Sequence, residues 1–220
     1  FQMMFAIITP ALITGAIAER FKFTTYLIFL VAWVTFVYAP IAHWVWASDG
    51  WLFGLGALDF AGGTVVHINA GVAAVAAAWL VGKRRGVDRG VEPHNVPFVI
   101  LGASILWFGW FGFNAGSGLA ADGLAVSAFL VTNTATATAL VVWLILGHIH
   151  TGKMSAVGAA TGAVAGLVAI TPAAGFVGPM GSIAIGLGAG ALTFYAVRIR
   201  HKFGFDDALE VTVVHGIGGI

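Results

Sequence analysis

The chain has 220 residues, 60% hydrophobic and 9% charged, with a formal net charge of +1 and no cysteine. A water-soluble domain of this size needs a more highly charged surface, so the class is an all-α polytopic membrane protein. Disulfides and thiolate metal sites are excluded, and no basic run with interleaved aromatics points to nucleic acid.

Apolar stretches of about 20 residues can each cross a bilayer core of roughly 30 Å. Along the chain they fall at 1–18, 24–46, 60–81, 97–116, 124–147, 155–171, 179–198 and 210–220. The first begins inside apolar sequence, Phe1-Gln2-Met3-Met4-Phe5, and the last stops at Ile220. Residues 1–220 therefore read as a single transmembrane domain truncated at both ends. Glycine is abundant, at 31 residues, as expected where membrane helices approach through small side chains.

The loops test this count. Arg20 and Lys22 lie in the first loop, Lys83, Arg84, Arg85 and Arg89 in the third, Lys153 in the fifth, and Arg198, Arg200 and Lys202 in the seventh. These are all 10 Lys and Arg residues, and each falls in an odd-numbered loop. The even loops, near 47–59, 117–123 and 172–178, carry Asp49, Asp59 and Asp122 and no base. The positive-inside rule makes the odd loops cytoplasmic.

Two stretches in opposite halves share the pattern Asp-x-x-x-x-Thr-Val-Val-His. One is Asp59-Phe-Ala-Gly-Gly-Thr64-Val-Val-His67, the other Asp207-Ala-Leu-Glu-Val-Thr212-Val-Val-His215. Glycines follow both, at Gly71 and at Gly216, Gly218 and Gly219. An ionisable group inside a membrane helix costs roughly 2.5–3.5 kcal/mol on insertion scales, which makes each His a functional candidate. The loop assignment sends the first helix inward and the second outward. A helix beginning at each Asp would carry its His eight residues in, about 12 Å deep. Inverted repeats with a site near mid-membrane are a transporter plan. Buried histidines bonded to backbone carbonyls, and bis-histidine haem ligation, are the alternatives for this pair.

Other features have plainer readings. Asp59 suits a helix cap as well as contact with a cation, and Asp207 and Glu210 read as caps. Trp44, Trp46 and Trp51 suit an interfacial aromatic belt. His148-Ile-His150 lacks a third metal ligand. The run Gly181 to Gly190 lies within a span, where tight helix packing explains it better than a nucleotide loop. Thr132-Asn-Thr-Ala-Thr-Ala-Thr138 is polar for a span and suits a crevice or an interface. No catalytic constellation or cofactor motif is present, so an enzyme is not expected.

The stretch Asp59 to Gly71 resembles the signature of the ammonium transporter family (Amt/Mep/Rh), in its bacterial Amt branch. Gly15-Ala-Ile-Ala-Glu-Arg20, Pro40-Ile-Ala-His-Trp-Val-Trp46, Trp110-Phe-Gly-Phe113-Asn-Ala-Gly-Ser117, Asp206-Asp207-Ala-Leu and His215-Gly-Ile-Gly-Gly219 match in the same order. The resemblance implies an inverted-repeat bundle of eleven helices when complete, of which about eight, the third to the tenth, are covered here. It further implies a homotrimer in the inner (plasma) membrane, ammonium or ammonia as the transported species, nitrogen uptake as the task, and a cytoplasmic regulatory partner. Its twin pore histidines fall on His67 and His215, its Phe gate on Phe5 and Phe113, and its supporting acid on Asp59. Cation recruitment falls on Trp46 and Ser117, with Phe5 as a wall and Trp110 beside it. Aromatic faces attract a small cation by about 0.5–2 kcal/mol, and a hydroxyl accepts one of its N–H groups.

One stretch departs from the family pattern. Family members usually carry Asp-Val-Phe-Gly-Val-His where this chain has Glu210-Val-Thr-Val-Val-His215. The packing around His215 is therefore expected to differ. The alternatives to transport are an ammonium sensor signalling through a fused cytoplasmic domain, and a neutral-gas channel of the Rh type, which Trp46 and Ser117 disfavour.

Overall fold

The computed structural model describes residues 1–87, 92–204 and 206–220, and among these residues it contains helices and no strand. Helix α1 (Gln2–Leu12) carries Pro10 and gives way at Ile13 to a short α2 (Thr14–Ile17). Helix α3 (Phe23–Trp33) continues through a π-helical turn, Val34–Tyr38, into α4 (Ala39–Trp46), and a short α5 (Trp51–Gly54) follows. A second π-helical segment, Gly63–Ile68, runs into α6 (Asn69–Val81). Then come α7 (Val96–Asn114), ending in a 3-10 turn at Ala115–Gly118, α8 (Gly123–Thr151), α9 (Ala156–Ile170) and α10 (Pro179–Lys202). A third π-helical segment, Thr212–Ile217, closes the chain.

Each of the eight predicted spans has a helical counterpart. Five are long and apolar enough to cross a membrane: Phe23–Gly54, Gly63–Val81, Val96–Gly118, Gly123–Thr151 and Pro179–Lys202. The stretches Gln2–Ile17 and Ala156–Ile170 are shorter. Helix α9 is short but enclosed, clasped by α7, α8 and α10 and buried along most of its length from Ala160 to Ile170.

Small residues set how closely these helices approach. A side chain at Gly166 of α9 would press on the Thr136 backbone, and one at Gly186 of α10 on the Ala135 carbonyl, both in α8. The glycine run in α10 is therefore a packing surface. The threonine-rich stretch of α8 satisfies itself: Thr132, Thr134, Thr136 and Thr138 each donate to the carbonyl four residues back. Thr132 and Thr136 are fully buried, so this stretch is a helix contact.

Sidedness appears in the loops. Asp206 of the seventh loop accepts from Arg84 of the third at 2.9 Å and pairs with Arg20 of the first at 3.4 Å. Arg20 also donates to the Gly82 carbonyl. At the opposite end, Trp46 bonds to Asp59 and Phe60 to Pro172, joining the second and sixth loops. The first, third and seventh loops thus meet at one end and the second and sixth at the other, in keeping with the charge pattern. Arg89 lies outside the described residues.

Candidate functional site

Both copies of the repeated motif fold alike, and not as simple helices from their Asp onward. Residues 59–62 form an irregular turn, and the helix begins only at Gly63. The Asp59 carboxylate replaces the missing backbone turn. Its Oδ1 accepts from Gly62 at 2.7 Å and Gly63 at 2.6 Å, and its Oδ2 from Thr64 at 2.8 Å and Val65 at 3.2 Å. Those are the amide donors a helix start leaves without partners. Gly62 sits at φ +125°, a conformation that a Cβ strains, and its counterpart Glu210 also has positive φ, at 55°. Asp207 repeats the cap with one bond, Oδ2 accepting from Thr212 at 2.7 Å. Glu210 does not cap as expected. It pairs with Arg200 at 2.6 Å instead.

The expected eight helical residues before each His are therefore fewer, because side-chain caps stand in for a full turn. Each His lies in a π-helical turn, His67 in Gly63–Ile68 and His215 in Thr212–Ile217. Such turns are uncommon and concentrate at functional sites.

The two segments run antiparallel. Gly63 lies beside the Gly219 carbonyl, Gly71 against the Gly216 backbone, and Ala74 and Ala78 pack with Val211. This crossing brings the rings together, with His215 Nδ1 3.1 Å from His67 Nδ1 and both residues buried. A metal between two imidazole nitrogens needs roughly 4 Å, two bonds of about 2 Å, so haem ligation by these facing nitrogens does not fit. Nor are the rings tied to backbone carbonyls, since their recorded bond is to each other.

A column of aromatic rings leads outward from the pair. His67 stacks nearly parallel on Trp110, with centroids 5.3 Å apart, and on Phe113 at 5.9 Å. Phe113 meets Phe5 at 4.7 Å with the planes tilted by 53°, and Phe5 meets Trp46 edge-on at 5.6 Å. Trp46 is held by its indole N–H, which donates to the Asp59 carbonyl at 2.9 Å. The Asp59 turn thus positions both the first His and the outer Trp. The Ser117 hydroxyl donates to the Phe113 carbonyl at 2.8 Å, so its oxygen lone pairs remain as acceptors.

Trp110 joins the column beside Phe113. It is buried on the inner side of Phe113, stacked on Phe113 and His67, with its indole N–H donating to Thr171 at 2.8 Å. It lies about two helical turns before Ser117 in the chain. Asn114 was missed by sequence reading: its amide donates to Thr132 at 3.0 Å and joins α7 to α8 beside the column. No sequence signal marked that bond, because it joins two apolar helices through a single amide. His148 and His150 gather no third ligand, and among the described residues no three His, Asp or Glu side chains are grouped to hold a metal.

Comparison with known proteins completes the description. A sequence model described as the Ammonium Transporter Family matches residues 1–220. A Mycobacterium tuberculosis protein named "Ammonium transporter" is 53% identical over 229 residues, covering 100% of this chain and 48% of the relative. The crystal structure of Candida albicans Mep2 superposes with a TM-score of 0.94 at 42% identity, covering 100% of this chain and 50% of that one. A structure described as a Sensor Amt Protein matches at TM-score 0.92 and 40% identity, covering 100% and 57%. The chain spans about half the length of the curated relatives it matches.

Proposed function

Since this chain belongs to the ammonium transporter family and is an integral, multi-pass membrane protein, we propose that it forms the pathway of a selective ammonium transporter. One observation carries this reading: an unbroken series of rings, Trp46, Phe5, Phe113 and His67, ending on a second imidazole in direct contact. Ammonium is drawn to the face of Trp46, with Phe5 as a wall, and gives one N–H to Ser117. Phe5 and Phe113 close the outer end of the pore against water and hydrated ions. Potassium cannot shed a proton, so it meets the apolar passage as a charge and pays the desolvation cost in full. Ammonium can lose a proton and pass Trp110 as neutral ammonia, with the imidazoles of His67 and His215 as its polar stops. Asp59 supports the site by holding the turn that orients Trp46 and His67.

By the same resemblance, residues 1–220 form one transmembrane domain of a homotrimer in the inner (plasma) membrane, embedded in lipid. A cytoplasmic regulatory protein is its further partner, and nitrogen uptake its task. Transport is not enzymatic chemistry. Sensing is not favoured, because the curated relatives carry transporter names; the shared fold of the Sensor Amt Protein leaves the ring column common to both readings.

The test is the current evoked by an ammonium jump on full-length protein in liposomes, with a potassium jump as control. A saturable current for ammonium alone is expected. Bound ammonium without any flux would transfer the site to sensing.

A further inference from the structure

The two copies of the repeat differ at one point that transport past the histidines does not use. In the outer copy both Asp59 oxygens are engaged, by four amides. In the inner copy Asp207 holds Thr212 N through Oδ2 alone. Its Oδ1 and the Thr212 hydroxyl oxygen are both buried and find no partner in the protein. These two oxygens belong to the two groups which that single bond joins, so they stand near one another at the start of the segment. Thr212 precedes His215 by three residues in the same π-helical segment, on the side of the cytoplasmic loop.

Charge sharpens the contrast. Three acids stand in this loop, and two are neutralised. Asp206 is held by Arg84 and Arg20, and Glu210 by Arg200. Asp207 is only 2% exposed and has no recorded ion pair among the described residues. A buried carboxylate oxygen left with no donor is costly, and such groups in native proteins are satisfied by water or a ligand. A carboxylate is acceptor-only, and a hydroxyl oxygen accepts as well, so the pair calls for a small donor carrying at least two N–H or O–H groups.

On the premise of the transport reading, we propose that Asp207 and Thr212 form a binding site for one such donor on the cytoplasmic side of His215. Ammonium supplies that chemistry with four N–H groups and a charge opposite to the unpaired carboxylate. Water supplies it without charge. Occupied by ammonium, the site makes the inner end of the pathway a cation-holding station of its own, distinct in design from the aromatic recruitment site outside.

The experiment uses full-length protein reconstituted with known sidedness, with ammonium applied to one face at a time. The variants are Thr212→Val, Thr212→Ser and Asp207→Asn. With ammonium as occupant, Thr212→Val and Asp207→Asn raise the half-saturating concentration from the cytoplasmic face about tenfold, the loss of one hydrogen bond to a charged group. From the outer face they leave it unchanged, and Thr212→Ser behaves as the parent on both faces. With water as occupant, neither face shifts, but a water-resolving structure of the parent has density between the two oxygens that Thr212→Val removes. Equal shifts from both faces, or no shift together with no such density, would overturn the site. A parent that carries no flux at all would refute transport instead, and the density alone would then decide the site.

Discussion

Nδ1 of His215 lies 3.1 Å from Nδ1 of His67, although 148 residues separate them in sequence. Two ring nitrogens facing at that distance share one proton, one donating and the other accepting. The other nitrogen of His67, Nε2, is buried with no partner in the protein. Replacing either His with Ala is expected to lower the preference for ammonium over potassium by about tenfold or more, the scale of one buried hydrogen bond to a charged species. Ion-jump currents measure it. Unaltered flux and unaltered selectivity in both variants would remove the pair from the mechanism.

The crossing beside that pair makes an asymmetric prediction. A Cβ on Gly71 would strike the Gly216 backbone, whereas a Cβ on Gly216 would meet Gly71 Cα at 3.5 Å, an ordinary contact. Gly71→Ala should therefore destabilise by roughly 1–3 kcal/mol, the cost of overpacking, while Gly216→Ala stays near the parent. Thermal unfolding in detergent compares them, and equal melting temperatures for the two variants would refute this packing.

Asp59 is predicted to act on stability before it acts on transport. Asp59→Ala strips the partners from four amides, three of them in buried bonds, at about 1–3 kcal/mol for each one left buried and unsatisfied. The variant should unfold well below the parent, with Asp59→Asn in between because one oxygen survives. A parent-like melting curve for Asp59→Ala would show that the cap is dispensable.

Acid should loosen the cytoplasmic end. Burial pushes the Asp206 carboxyl up, but hydrogen bonds from Arg84 and the charges of Arg20 and Arg84 outweigh it and hold the group below its ordinary value. A carboxyl depressed by folding contributes stability above its unfolded pKa, near 3.9, and that stability is lost as pH falls through the lower folded value. Asp206→Asn should cost about 1–3 kcal/mol at neutral pH, since it removes the carboxylate shared by Arg84 and Arg20 while Arg84 keeps Glu19 and Arg20 keeps its carbonyl acceptors. It should also flatten the acid limb of the stability profile. Parallel profiles for variant and parent would place the acid sensitivity elsewhere.

Much of this was legible in the chain. The apolar stretches gave eight segments that all fold as helices, five of them long enough to cross a membrane, and the duplicated Asp-to-His motif gave the two histidines that meet. Helix starts at Gly63 and Thr212 were not legible, because an eight-residue spacing looks the same whether a backbone turn or a carboxylate fills it. A π-helical turn hides for a similar reason: in a mostly apolar segment no continuous polar face marks the extra residue. The stacking of Trp110 on both Phe113 and His67 was not legible either, since sequence spacing does not say which neighbour an indole will choose. The Arg84–Asp206 pair joins residues 122 apart, and composition had offered those charges only as orientation signals.

That double use of charge sets an order of events during biogenesis. Arg20 and Arg84 leave the ribosome long before Asp206, by 186 and 122 positions. Until then they act without Asp206, as cations that keep the first and third loops from being translocated. When the seventh loop arrives, the same two guanidinium groups become the anchor for the chain leading into His215. The signal that directs insertion is thereby consumed as a bond, and the second histidine can be seated only after the topology around the first is already fixed.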